Sequence, residues 1–301
     1  MRWDDFRRSS NVDDVRDEGG GGGGFRFPGG GGGVGIGGLI VVGLISWALG
    51  VDPRLILAGL ETVQGGGGSG YSQQDQPGQK QRELSPEEQK QGDFVRAVLA
   101  QTEDVWDDIF KQSGSTYQKP RLTLFSGVTR SACGRAQSAM GPFYCPSDQR
   151  VYLDTEFFDE LARKFKAPGD FARAYVIAHE IGHHVQNQLG IMEKANAARE
   201  RAGSEEASNA ISVRIELQAD CFAGVWANWA DKKYHILEQG DVESALRAAT
   251  QIGDDTLQRR SGGAVVPDSF THGSSAQRVK WFRTGVDGGD PKKCNTFAGQ
   301  P

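Results

Sequence analysis

Residues 170–190 read DFARAYVIAHEIGHHVQNQLG. Phe171, Tyr175, Ile177, Ala178, Ile181 and Val185 recur at helical spacing. Asp170 is a fitting N-cap and Gly190 a fitting stop. The stretch therefore predicts one helix with a broad apolar face. It carries the pentapeptide His179-Glu180-Ile181-Gly182-His183. Positions i and i+4 share a helix face, so both imidazoles can aim at one ion. Glu180 lies about 100° round the helix, where it can reach a water on that ion. Two nitrogen ligands beside a carboxylate suit zinc-assisted hydrolysis. The plainer reading is a core helix whose two histidines are held by hydrogen bonds, and the next motif decides between them.

A catalytic zinc needs a third protein ligand and an open position. Residues 216–220 read ELQAD, inside a second helical run from about Ser204 to Lys233. Ile211, Val213, Ile215, Leu217, Phe222, Val225, Trp226 and Trp229 make that run apolar on most sides. Glu216 and Asp220 are again i and i+4. Glu216 is the candidate third ligand. Asp220, one turn on, can accept a hydrogen bond from the outer nitrogen of His179 and so fix its tautomer. His184 points about 100° away from His183 and is read as a bystander; His235 has no partner pattern.

With these motifs in hand, the chain resembles the bacterial membrane-anchored neutral zinc metallopeptidases, of the Glu-zincin type. The resemblance runs through Arg-Trp-Asp-Asp (2–5), a Gly-rich segment, one hydrophobic span and Cys133-Gly134. It continues through GPFYCP (141–146), VYLD (151–154), the two zinc motifs and THGSS (271–275). It implies a zincin-like fold and a peptidase, expected to act within chains, holding one zinc ion on His179, His183 and Glu216. It also implies that His272 stabilises the oxyanion of the tetrahedral intermediate, with a loop histidine that caps backbone as the plainer alternative. Residues 151–154, and with them Tyr152, would form the edge strand that holds an extended substrate by backbone pairing. Two further residues stay open. Tyr144 can donate to the same oxyanion or simply pack. Arg278 can brace Asp220, bind a substrate carboxylate or be solvated.

Outside the site, the 42 glycines of the 301-residue chain are clustered, at 19–24, 29–33 and 65–68. Such runs read as flexible linkers. The net charge of −5 comes with no basic tract, which argues against a nucleic-acid partner. Residues 34–51 (VGIGGLIVVGLISWALGV) carry no charge and would span about 27 Å as a helix, near the hydrocarbon thickness. They are read as a transmembrane helix. Arg2, Arg7, Arg8, Arg16 and Arg26 precede it, which predicts a cytoplasmic amino terminus and a periplasmic or extracellular domain.

The four cysteines lie beyond this span, and an even count in a translocated domain predicts disulfides. Cys133 and Cys145 enclose a short Gly/Ser/Pro-rich loop and pair first; Cys221 and Cys294 follow by elimination. No CxxC spacing supports a structural zinc site instead.

The expected organisation is a disordered cytoplasmic segment 1–33, the transmembrane helix 34–51, a linker 52–84 and a metallopeptidase domain 85–301. That domain is predicted to be α+β, mostly helical with a small sheet. A helix is expected from Ser85-Pro86 to before Gly114, strands at 121–125 and 150–154, and a short helix at 159–166. Another helix is expected from about Asp241, and one over 277–283. The expected partners are a peptide or protein substrate and the membrane. A zinc protein that binds peptide without cleaving it, and a zinc amidase acting on cell-wall crosslinks, are the rival functions. Glu180 argues against the first, because binding alone needs no general base.

Overall fold

The computed structural model describes residues 1–17, 82–137, 141–262 and 264–299. The elements follow the expected boundaries closely where local signals are strong. Helix α1 (Pro86–Gln112) starts at a capping box, with Ser85 receiving the Glu88 N–H and the Glu88 carboxylate receiving the Ser85 N–H. The chain then enters β2 (Arg121–Phe125), a hairpin of β3 (Val128–Ser131) and β4 (Gly134–Gln137), β5 (Phe143–Cys145) and β6 (Arg150–Asp154). Helix α2 spans Glu156–Arg163, three residues earlier than expected, because the Asp154 carboxylate accepts the Glu156 N–H at 2.9 Å and starts the turn there. Helix α3 (Asp170–Gln188) carries the pentapeptide. Gly190 follows at φ 68°, the left-handed stop predicted for it. Then come α4 (Ile191–Glu200), α5 (Glu205–Tyr234), α6 (Asp241–Gln251), α7 (Asp254–Arg260) and α8 (Ser275–Gly288).

The architecture is α+β, with a small mixed sheet against a helical layer. The sheet order is β1 (Val12–Asp14), β2, β6, β5, with β1, β2 and β6 parallel and β5 antiparallel to β6. Two expectations are corrected here. Residues 151–154 do not form an edge strand. They sit between β2 and β5, with Val151, Tyr152, Leu153 and Asp154 all buried, and β5 is the edge. Of the expected disordered segment 1–33, residues 1–17 are ordered, and 18–33 lie outside the described residues. Val12–Asp14 form β1, Trp3 is buried, and Arg16 is only 2 % exposed. Local sequence could not show this, because β1 is three residues long and gains its ladder only from β2, more than a hundred positions away.

Residues 34–51 lie outside the described residues. Among the described residues no helix is long and apolar enough to cross a membrane. Both predicted disulfides are present, Cys133–Cys145 and Cys221–Cys294. The first ties the β3–β4 turn to the end of β5; the second ties α5 to the carboxy-terminal segment.

Candidate metal centre

Helices α3 and α5 meet at Gly182, inside the pentapeptide. A Cβ there would lie 3.0 Å from the backbone of Ala219, so glycine permits the approach that brings Glu216 to the histidines. His179 Nε2 lies 3.1 Å from Glu216 Oε2, and His183 Nε2 lies 3.5 Å from Glu216 Oε1. One ligand atom from each of the three residues falls within 4.8 Å of the others. Tetrahedral ligands about 2.0–2.1 Å from a zinc ion are separated by roughly 3.3 Å. The two spacings, each to a different Glu216 oxygen, lie near that value, and the donor set is of the type zinc takes.

The outer nitrogens of both histidines are fixed. His179 Nδ1 donates to Asp220 Oδ1 at 2.9 Å. The Asp220 carboxylate, fully buried, also accepts Tyr175 Oη at 2.6 Å and a two-pronged guanidinium from Arg278, Nε at 2.8 Å and Nη2 at 2.9 Å. Burial pushes this carboxyl up, but Arg278 and His179 outweigh it and hold the pKa down at about 2. Arg278 is thus spent on Asp220; at 3 % exposure it does not meet substrate.

His183 Nδ1 donates to Gln186 Oε1 at 2.9 Å. Gln186 Nε2 in turn donates to Ile215 O and to Gln218 Oε1, and Gln218 Nε2 donates to Cys294 O. Both imidazoles therefore turn Nε2 towards the common point. Burial disfavours protonation of His179, yet Asp220 and Glu216 outweigh it and lift its pKa to about 10. The pocket between these side chains is built to hold positive charge.

Glu180 is buried, and burial raises its pKa above the ordinary carboxyl value. The backbone N–H of Tyr144 donates to it. That N–H points away from β6, so the outer edge of β5 faces the centre. His272 lies within electrostatic reach of Glu216. Its ring is held from behind by Asp254, whose Oδ1 lies 3.4 Å from Nδ1. The other oxygen of Asp254 accepts the N–H groups of Thr271, His272 and Gly273 at 2.8, 2.7 and 3.0 Å.

Two sequence candidates sit elsewhere. The Tyr144 hydroxyl donates to His184 Nδ1 at 3.1 Å and accepts from Asn187, so its one proton is already used inside the fold. His184 Nε2 donates to Gln118 O, and the ring is a structural pillar beneath β5. Tyr152 stacks on Phe143 and donates to Asp148, within a small cluster with Phe125 and Cys145 and apart from the main core that holds Tyr144. Sequence reading missed Tyr175, Gln186, Gln218 and Asp254. Only Tyr175 left a signal, one turn before His179 on the same face.

The chain matches a family model described as "putative neutral zinc metallopeptidase" over residues 1–297. It belongs to this family. Relatives include the Escherichia coli (strain K12) protein named "Uncharacterized protein YpfJ", 50% identical over 299 residues, which are 99% of each chain. The Mycobacterium bovis protein named "Uncharacterized protein Mb2605" is 43% identical over 216 residues, 68% of this chain and 71% of that one. No solved structure matches. The family match extends past the zinc motifs to Trp3 and to Cys294, so it embraces the amino-terminal strand and both disulfides.

Proposed function

We propose that this member of the family hydrolyses peptide bonds at a single zinc ion held by His179, His183 and Glu216. The observation that carries the reading is the placement of Glu180, a buried carboxylate with a raised pKa, beside that donor set and against the free edge of β5. When bound, zinc supplies Lewis-acid polarisation and acidifies water towards neutrality. Glu180 takes the proton from the attacking water and returns it to the leaving amine. The Tyr144 N–H keeps its carboxylate in register with the strand edge. An extended peptide docks along β5 through the Tyr144 carbonyl, the Tyr144 N–H being held by Glu180. His272, oriented by Asp254, donates to the developing oxyanion. The two disulfides support an oxidising compartment for the domain, and the apolar stretch 34–51 supports contact with a membrane.

The test uses the full-length protein in mild detergent, with a mixed peptide library and purified peptidoglycan as separate substrates. Wild type is expected to cleave peptides and to carry about one zinc per chain. Glu180→Gln is expected to keep the zinc and lose at least ~10²-fold in rate. Cleavage by Glu180→Gln at the wild-type rate would reject the mechanism. Cleavage of peptidoglycan alone would move the substrate to cell-wall amides.

A further inference from the structure

The amino-terminal segment is part of the domain's interior. Glu103 of α1 is 1 % exposed, and its carboxylate is satisfied by Arg7 Nη2 at 2.8 Å, Ser9 Oγ at 2.5 Å and Asn11 Nδ2 at 2.8 Å. Every one of these partners comes from residues 7–11. Trp3 packs edge-on against Phe94 and donates to Asp170, the first residue of the zinc-motif helix. Arg16 is clamped by Asp14 and donates to Glu88 O on α1. On both flanks of β1 the ladder to β2 continues, through Leu122 N–Asn11 O and Val15 N–Leu124 O, both 2.9 Å. Arg82 N then donates to Asp17 O at 3.3 Å. Asp17 and Arg82, on either side of residues 18–81, are therefore adjacent.

None of these contacts can form across about 30 Å of hydrocarbon. A chain whose two flanks are hydrogen-bonded together has both on one side, so it crosses a bilayer an even number of times or not at all. The arginine asymmetry has a different origin. Arg2 bonds His235 O, Arg7 binds Glu103 and Asp104, Arg8 binds the carbonyls of Trp3, Asp4 and Phe6, and Arg16 binds Asp14. Four of the five arginines before the apolar stretch are thus called for by the fold, not by a membrane potential. We infer that residues 1–17 and the catalytic domain occupy the same side of the membrane. The inference rests on strand pairing and buried charge, and is independent of the peptidase reading.

All four native cysteines are in disulfides, so one introduced cysteine is a unique thiol. Asp5→Cys and Lys90→Cys, each alone in the full-length chain, place it on exposed positions of the amino-terminal segment and of α1. Labelling by a membrane-impermeant maleimide is compared in intact spheroplasts and inverted vesicles. Both variants are expected to label in the same preparation and to be protected in the other; labelling in opposite preparations overturns the inference. A second measurement places a protease site within the glycines at 65–68. After cleavage in mild detergent, the amino-terminal fragment is expected to co-purify with a tagged domain; its separation from the domain overturns the inference as well.

Discussion

At the scale of single residues, the centre depends on groups that touch no ion. Asp220 holds His179, and Gln186 holds His183, each through the ring nitrogen that faces away from the common point. Asp220→Asn keeps the size but weakens the hold on His179 and Arg278. It is expected to lower zinc affinity by about 10- to 100-fold, read by competition with a chelator. Asp254 is a positioning residue of another kind. Asp254→Asn is expected to leave zinc content unchanged and to lower turnover about 10- to 10³-fold, as His272→Ala does. The double variant is expected to be no slower than His272→Ala alone, because both changes remove one function. Additive losses would show that Asp254 acts by some route other than His272. The residues of the donor set were legible from spacing, since i,i+4 is a geometric rule. Gln186, Gln218 and Asp254 were not, because a glutamine or aspartate acquires its role only when another helix supplies its partner.

At the scale of elements, three contacts decide how the helices meet. Gly182 admits α5 to α3, and Gly224 and Gly285 admit α8 to α5, where a Cβ at Gly285 would lie 2.0 Å from Cys221 O. This last approach delivers Arg278 to Asp220. The third contact is the docking of residues 1–17. Deleting them removes the Arg7, Ser9 and Asn11 partners of Glu103 together with the buried Trp3, and is expected to lower stability. A melting series is expected to show that loss, with Glu103→Gln recovering part of it in the deleted chain but not in wild type.

The docking also depends on pH. Burial pushes the Asp14 carboxyl up, but the Arg16 guanidinium outweighs it and holds the group below the usual carboxylate range. Its contribution is therefore present above about pH 4, the unfolded value. It is lost as the pH falls through the lower folded value. The stability difference between wild type and Asp14→Asn is expected to be full at pH 6 and to shrink below pH 4, measured by urea unfolding.

At the scale of the whole molecule, the two disulfides act on different properties. Cys221–Cys294 closes a loop with a sequence separation of 73, and Cys133–Cys145 one of 12. Loop-closure entropy assigns about 4 kcal/mol to the first and about 3 kcal/mol to the second. The Cys221→Ala/Cys294→Ala chain is expected to lose more stability. It also disturbs Cys294 O, which receives Gln218 and ends the chain of bonds behind His183. The Cys133→Ala/Cys145→Ala chain is expected to lose less stability but to raise the KM for peptides, because Cys145 terminates the substrate-facing strand. Equal KM values for this variant and wild type would argue against β5 as the docking edge.

The sequence by itself determined the two motif helices, the three side chains His179, His183 and Glu216 that meet between them, the long helices and the two central strands. Each is encoded by a local rule: helical spacing, a capping box, a left-handed glycine stop or period-two alternation over five residues. It pointed to the disulfide pairing through the short loop between Cys133 and Cys145, and the structure holds that pair and Cys221–Cys294. The tertiary structure alone decided which strand is the edge. Residues 143–145 and 150–154 differ in that respect only by the presence of β2 beside one of them. It alone decided that residues 1–17 belong to the domain, because a three-residue strand and a buried tryptophan are stable only against a surface built from distant parts of the chain. Arg2, Arg7, Arg8 and Arg16, which looked like an orientation signal in one dimension, have carboxylates and carbonyls waiting for them in three.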